Sequence, residues 1–189
     1  MRSLTPEERG ALLWIARQAL EMHFRGSAPG SPPDIPPSLQ ERGAAFVTLR
    51  SEGSLRGCVG SLEPAKPLVD TVAHCAVSAA TADPRFSPIA PSDMGGLTIE
   101  ISILSPLTPL QDVSQFLLGT HGVCVIAGQH RGVLLPQVAA EQGWDLEAFL
   151  DFACQKARLA AGAWRHGAEL HIFTAEVFGE LDPPGAPTA

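Results

Sequence analysis

The chain has 189 residues, with 13 basic and 20 acidic side chains and a net charge of -7. Its apolar fraction of 45% is typical of a globular protein and excludes a largely disordered one. Because Lys66 and Lys156 are its only lysines and its arginines are scattered, the sequence also argues against a protein that coats nucleic acid.

The first half of the chain predicts a helix, a loop and two strands. Thr5-Pro6-Glu7-Glu8 has the form of a helix start in which Thr5 and Glu8 make a capping box. Apolar residues then recur at helical spacing as far as Leu20. Residues 26–37 are rich in Gly, Ser and Pro and predict an exposed loop. Strands are predicted over 44–50 and 55–62, joined by a turn.

The second half predicts a mixture of helices and strands. A helix over 67–82 should end at Asp83, because the residue before a proline is pushed out of the helical region. Residues 97–104 alternate between apolar and polar side chains, which predicts a strand with Glu100 and Ser102 on its polar face. The remaining predicted elements are a hairpin over 122–126 and 131–135, a helix capped by Asp145, a strand over 169–178 and a flexible tail over 179–189.

Strands with short connections, interrupted by helices, predict an α+β protein with a mainly antiparallel sheet flanked by helices. The short connections fit this class better than a doubly wound parallel sheet. The length accommodates one domain or two closely packed lobes.

The cysteines and the first residues indicate the compartment. The four cysteines lie far apart without a C-x-x-C pair, which favours reduced intracellular thiols over a disulfide framework. Met1 is followed by Arg2 and a polar segment without a signal-peptide core, and no stretch reaches the ~18 apolar residues of a membrane span. We therefore expect a cytoplasmic protein.

The segment Leu55-Arg56-Gly57-Cys58-Val59-Gly60 has the strongest chemical signal. Gly57 and Gly60 allow another group to approach the backbone closely. Strand alternation would place Arg56 on the same face as Cys58, where a guanidinium favours the reactive thiolate. The alternative is a free cysteine packed as a small apolar side chain in a bulged strand.

Histidines are candidate partners for this cysteine. His74 and His121 can form a Cys–His pair with Cys58, because such pairs assemble in space rather than in sequence. Each can equally be a surface or turn residue. Metal binding by Cys58, His74, Cys75 and His121 is less favoured, since no C-x-x-C, H-x-x-x-H or H-E-x-x-H spacing occurs. We expect no metal and no cofactor.

Two further arginines are candidate ligand-binding residues. Arg85 stands in a stiff turn after Pro84, where its guanidinium can hold a carboxylate or phosphate. The alternative is an ion pair from Arg85 to Glu100 or another acid that ties the loop to the sheet. Solvent exposure of the polar strand face explains Glu100 equally well. Arg131, beside Gly132, can also line a pocket.

Several of these motifs together resemble the AMMECR domain family, whose prokaryotic members are known as protein A of the AmmeMemoRadiSam system. The Leu55–Gly60 segment looks like the family's signature hexapeptide, and the resemblance covers residues 5–178 as a single domain. The other matching segments, in the same order, are Asp83–Phe86, Ile99–Pro106, His121-Gly122, Leu134–Val138 and Cys154–Ala157.

The resemblance implies an α+β protein with a larger and a smaller lobe and the hexapeptide near the cleft between them. It implies partners of the Memo-like and radical-SAM types, but no settled biochemical activity. Cys75 departs from the family pattern, because we expect many relatives to have Asn at this position. Transferring the signature gives a site centred on Arg56, Gly57, Cys58 and Gly60, with Arg85, Glu100, His121 and Arg131 as neighbours.

Two functions follow from these expectations. In the first, the chain is an accessory or binding component with a small-ligand cleft around the hexapeptide, and Cys58 only packs. In the second, it is an enzyme in which Cys58 is the nucleophile and His121 or Glu100 is the base. Arg56 and Arg85 would then hold a small anionic substrate.

Overall fold

A computed structural model describes residues 2–26 and 34–182 of the chain. The chain forms two compact units, one from residues up to Leu104 together with those from Glu176 onward, the other from Ser105–Ala175. Most of the loop predicted over 26–37 falls on residues 27–33, and most of the tail predicted over 179–189 falls on 183–189. Both stretches lie outside the described residues.

The described residues form four α-helices and eight strands, with short 3₁₀ turns between them. In chain order they are α1 (Pro6–Arg25), β1 (Ala44–Ser51), β2 (Ser54–Ser61), α2 (Leu68–Thr81), β3 (Leu97–Leu104), β4 (Thr108–Pro109), β5 (Gly122–Ala127), β6 (His130–Leu134), α3 (Gln137–Gln142), α4 (Leu146–Lys156), β7 (Glu169–Phe173) and β8 (Ala175–Gly179).

The first unit is a four-stranded sheet with α1 and α2 packed on one face. Its strand order is β2-β1-β3-β8, and β1 is antiparallel to both of its neighbours. Val47 and Leu49 of β1 enter the core fully buried. Gly57 allows α2 to lie directly on β2, because a Cβ at this position would be 2.0 Å from the Ala79 carbonyl oxygen.

Helix α1 begins as its sequence predicts. The Thr5 hydroxyl accepts from the Glu8 amide at 3.2 Å, and the Glu8 carboxylate accepts from the Thr5 amide at 2.8 Å. The carboxylate is buried and also accepts from Arg2 and Ser38. These contacts lower the Glu8 pKa to about 2, chiefly through the Arg2 hydrogen bond and against the effect of burial.

The second unit is a smaller sheet in the order β4-β7-β5-β6, with α4 packed against it. Asp145 caps α4 by accepting from the Ala148 amide at 2.8 Å, as predicted. The predicted hairpin is β5 and β6, which turn at Gly128 with a φ of 59°. Its apolar core is centred on the fully buried Phe149 and Leu150.

The α+β class is confirmed, but the single strand predicted over 169–178 is wrong. The segment forms two strands, β7 and β8, which belong to different sheets. At Thr174, between them, the backbone carbonyl accepts from the Ser105 amide at 2.9 Å, and the amide donates to the Ser105 hydroxyl at 2.9 Å. These long-range hydrogen bonds to Ser105 thus separate two strands that the sequence presents as one continuous apolar segment. The six-residue α3 and two-residue β4 are too short for periodicity to reveal.

Candidate functional site

The face of the first sheet opposite α1 and α2 carries the cysteine of the hexapeptide. In the strand register Cys58 lies opposite Thr48, and Thr48 lies opposite Glu100. Direct cross-strand partners share a face of the sheet. Cys58, Thr48 and Glu100 therefore form a row across β2, β1 and β3, which we call the cysteine row.

A hydrogen bond joins the first two members of the cysteine row. The Thr48 hydroxyl lies 3.3 Å from the Cys58 sulfur, with Thr48 as the donor. The amide of Cys58 points away from β1, so this is a non-hydrogen-bonded backbone pair, in which Cα atoms approach to about 4.5 Å. Thr48 is buried and Cys58 is partly exposed. The sequence reasoning missed Thr48.

A bulge explains why Thr48 was missed. The turn pairs Ser51 with Ser54, and an uninterrupted hairpin would then place Gly57, not Cys58, opposite Thr48. Arg56 is an extra residue on β2, so the register shifts by one beyond it. The prediction that Arg56 and Cys58 share a face of the sheet assumes strict alternation along β2. The bulge at Arg56 interrupts that alternation.

The loop after α2 holds the outer edge of β2 at Cys58. The Asp83 carboxylate accepts from the Cys58 amide at 2.9 Å, and an Arg85 nitrogen donates to the Cys58 carbonyl at 3.4 Å. Because β2 ends the sheet, these are backbone groups that a neighbouring strand would otherwise satisfy. We call this arrangement of Asp83 and Arg85 the edge clamp.

The two residues of the edge clamp form a bidentate ion pair. Arg85 Nε and Nη2 lie 3.0 and 2.7 Å from the Asp83 carboxylate oxygens, and the Arg85 amide donates to the same carboxylate at 3.1 Å. The pKa of Asp83, which is 6% exposed, is lowered to about 2, mainly by the Arg85 side chain and against burial. The acid that pairs with Arg85 is therefore Asp83, to which the sequence analysis assigned no partner, although the segment Asp83–Phe86 is part of the family resemblance.

Arg85 also lies close to the Cys58 sulfur. Its pKa is raised first by the hydrogen bond to Asp83, and the Cys58 thiolate adds to the effect through its charge and a hydrogen bond. A guanidinium and a hydroxyl donor beside one sulfur are the surroundings in which a thiolate is stabilised. The other cysteines are buried: burial raises the pKa of Cys75 to about 11 and also raises the pKa values of Cys124 and Cys154.

Gly60 and Ser102 lie on the same face as the cysteine row, opposite Phe46 from either side. A Cβ on Gly60 would be 2.2 Å from the Phe46 ring, so the ring rests on the glycine. Ser102 is 1% exposed, and its hydroxyl has no hydrogen-bond partner among the described residues. Buried hydroxyls are nearly always hydrogen-bonded, so this one marks a position suited to a further polar atom.

His121 and Arg131 belong to the second unit, whereas the other predicted site residues belong to the first. The His121 Nδ1 accepts from the Leu117 amide at 3.1 Å, and its ring lies edge-on to Phe116 at 5.6 Å. A neutral histidine that accepts at Nδ1 carries its proton on Nε2 and has no lone pair left to act as a base. Arg131 is exposed on β6, and its charge opposes the effect of burial on the Cys124 pKa.

The remaining sequence candidates give no metal site. His74 is exposed on α2, and no group of three or more His, Cys, Asp or Glu side chains within residues 2–26 and 34–182 is arranged to hold a metal ion. In the same part of the chain, no helix has the length and apolar character needed to cross a bilayer.

Comparisons with known proteins give one consistent result. The model of the AMMECR1 family matches residues 13–178. A protein of Methanothermobacter thermautotrophicus is 42% identical over 94% of this chain and 96% of its own length, and one of Thermofilum pendens is 39% identical over 98% and 95%. The crystal structure of an uncharacterized protein from Pyrococcus horikoshii matches with a TM-score of 0.85 and 35% identity, covering 97% of this chain and 95% of that one.

Proposed function

The chain belongs to the AMMECR1 family, as the sequence motifs predict, and we propose that it is an accessory binding component rather than a catalyst. Its ligand surface is the face of β2 around Cys58. The partners that fit this proposal are the Memo-like and radical-SAM proteins implied by the family resemblance, and the prediction of a cytoplasmic protein goes with them.

One observation carries this proposal: the edge clamp uses both of its side chains to fix the backbone of Cys58. Arg85, a residue expected to hold an anionic substrate, is paired with a buried carboxylate that neutralises its charge. A group committed in this way shapes a surface but contributes little net charge to a ligand. Half of the Arg85 side chain nevertheless stays exposed, so it can donate to a bound partner.

The candidate bases support the same proposal. His121 uses Nδ1 to accept from a backbone amide, so it is poorly placed to remove a proton. Glu100 lies two strands from Cys58 with Thr48 between them, and neighbouring strands are about 4.8 Å apart. Direct contact of carboxylate and thiol, the geometry for general base catalysis, requires about 3 Å.

Any small anionic ligand would then depend on Arg56 more than on Arg85. Arg56 is the bulged residue of β2 and is partly exposed. Bulges re-aim a side chain and are frequent beside binding sites. The glycines on either side of Cys58 keep β2 close to α2 and to the Phe46 ring, which gives the surface a fixed shape.

Affinity measurements with purified partners test the proposal. The chain is titrated with the Memo-like and the radical-SAM protein of the same genome, alongside Cys58→Ser, Arg56→Gln and, as a matched control, Arg25→Gln at the exposed end of α1. We expect Cys58→Ser and Arg25→Gln to stay within about tenfold of wild type, and Arg56→Gln to weaken binding by more. Absence of binding to either partner, or equal effects of the two arginine variants, would contradict the proposal.

A second candidate function, in which Cys58 is a nucleophile, is favoured by the hydrogen bond from Thr48 to its sulfur. Together with the nearby Arg85 guanidinium, this donor stabilises a thiolate on a partly exposed strand. Activity of the whole system decides between the two. If Cys58→Ser abolishes system activity while folding and partner binding are intact, the chain is an enzyme rather than a binding component.

A further inference from the structure

We propose that a cavity beside helix α1 is a second binding site, which takes an organic cation with a charged nitrogen group on an apolar stem. The cavity measures about 830 Å³ and is lined by the first turns of α1 and by residues 34–37, all in the first unit. Because α1 packs on the opposite face of the sheet from Cys58, this site is separate from the β2 surface. The inference therefore does not depend on the proposed function.

The walls of the cavity are mainly apolar. On one side, Gly10 and Ala11 leave the surface of α1 without a long side chain, and a Cβ on Gly10 would have no atom within 4 Å. Ile35, Pro36 and Pro37 form the other side. Small-molecule sites are usually clefts of roughly 300–1,000 Å³ with mainly apolar walls and a few polar groups. The cavity has both the size and the lining of such a site.

The two sides of the cavity are held together by contacts that need no ligand. The Ser38 hydroxyl, one residue beyond the lining, donates to the Glu8 carboxylate on α1. The Leu39 amide donates to the Pro36 carbonyl at 3.0 Å, and Leu39 is fully buried in the core against which α1 packs. Proline also fixes its own φ, which is -55° at Pro36. The cavity is therefore formed before binding, so that a ligand spends little free energy on ordering the chain.

The charge of the lining selects a cation. Glu7 and Asp34 are the charged lining residues among those described, and both are exposed. Within residues 2–26 and 34–182, neither carboxylate makes a hydrogen bond or an ion pair. Arg9, the basic residue closest to Glu7 in the sequence, instead binds Glu176 at 2.9 Å. A cation with an apolar stem would cover the apolar walls and place its charge near the carboxylates, whereas an anion would meet two like charges.

Amide chemical shifts of the full chain, followed by NMR during titration, test this site. Tryptamine is the cationic probe, and tryptophol and indole-3-propionate carry the same indole stem with no charge and with a negative charge. We expect tryptamine to shift the Gly10 and Ala11 amides in a saturable way and to bind about tenfold more tightly than tryptophol. Indole-3-propionate should bind more weakly than tryptophol. Higher salt should reduce the advantage of tryptamine, because the carboxylates are exposed.

Variants separate the charge of the site from its shape. Glu7→Gln and Asp34→Asn each remove one charge at nearly constant size, so each should weaken tryptamine binding about threefold and the pair about tenfold, with tryptophol unaffected. Asp70→Asn, at an exposed acid on α2 outside the cavity, is the matched control and should change neither affinity. Gly10→Leu fills the open space beside α1 and should abolish binding of both probes.

Absence of saturable shifts at Gly10 and Ala11, or tryptophol binding as tight as that of tryptamine, would overturn the proposal. So would an equal loss in Asp70→Asn and the two charge variants of the cavity, or binding that survives Gly10→Leu. If Gly10→Leu does not fold, the charge variants decide alone, since both replace exposed side chains. None of these results bears on the surface around Cys58, which the partner titrations test separately.

Discussion

The edge clamp makes a quantitative prediction for Asp83→Asn. Asparagine keeps the shape of the side chain but loses the charge that Arg85 and the Cys58 amide bind. The Asp83 pKa is lowered from 3.8 to about 2, which corresponds to roughly 2 kcal/mol of folding free energy that depends on the carboxylate. Because the side chain is 3% exposed, water replaces little of this interaction.

The sign of the pH dependence follows from the direction of that change. The pKa is lower in the folded state, so the carboxylate contributes fully above the unfolded pKa of 3.8 and progressively less as pH falls toward about 2. Wild type should therefore exceed Asp83→Asn in stability by roughly 2 kcal/mol near neutral pH. The difference should shrink as the solution is acidified.

Urea unfolding of both proteins measures this difference in the free energy of unfolding. Hydrogen exchange of peptides from β2 then shows whether the difference arises within the first unit. The Cys58 amide should also exchange faster in the variant, since it loses its carboxylate acceptor. A difference below about 0.5 kcal/mol, the range of ordinary surface substitutions, would refute the reasoning. So would a difference that stays constant as pH falls from about 5 to about 2.

Two further predictions concern packing and the first helix. Gly57→Ala should destabilise the protein by about 1–3 kcal/mol, because its Cβ would collide with the Ala79 carbonyl. A Cβ on Gly10 would have no atom within 4 Å, so Gly10→Ala should instead stabilise α1 by about 0.5–1 kcal/mol. Thermal unfolding of both variants measures the two effects. Glu8→Gln should lower stability by roughly 3 kcal/mol near neutral pH, because the buried carboxylate that binds Arg2 is lost and its pKa falls from 4.5 to about 2 on folding. This loss should vanish as the solution is acidified, and a loss in urea titrations that does not depend on pH would contradict the prediction.

Local signals in the sequence predict most of the secondary structure. The capping box at Thr5 and Glu8, the Asp145 cap and the turn at Gly128 each involve residues within a few positions of one another. Such features depend on nearby backbone geometry, so they are legible before any tertiary contact is known. The alternating pattern of β3 likewise predicts the apolar face that enters the core, although Ser102 on its polar face is buried as well.

The candidate site depends on contacts that no local pattern contains. Thr48 reaches Cys58 only because the bulge at Arg56 shifts the register by one residue. Asp83 reads in sequence as the end of a helix, yet its carboxylate binds an amide 25 residues earlier in the chain. Contacts of this kind depend on where α2 and the loop that follows it pack against the edge of β2.

The most direct test of the proposed binding surface is a titration of the Memo-like and radical-SAM partners with the chain before and after carbamidomethylation of Cys58. Cys58→Ser, taken through the same treatment, reports any effect of modifying another residue. A group added at Cys58 would protrude from the face of β2, so we predict that treatment weakens wild-type binding by at least about tenfold and leaves Cys58→Ser unchanged. Fully modified wild type that binds both partners as tightly as before would contradict the assignment of this face as the binding surface.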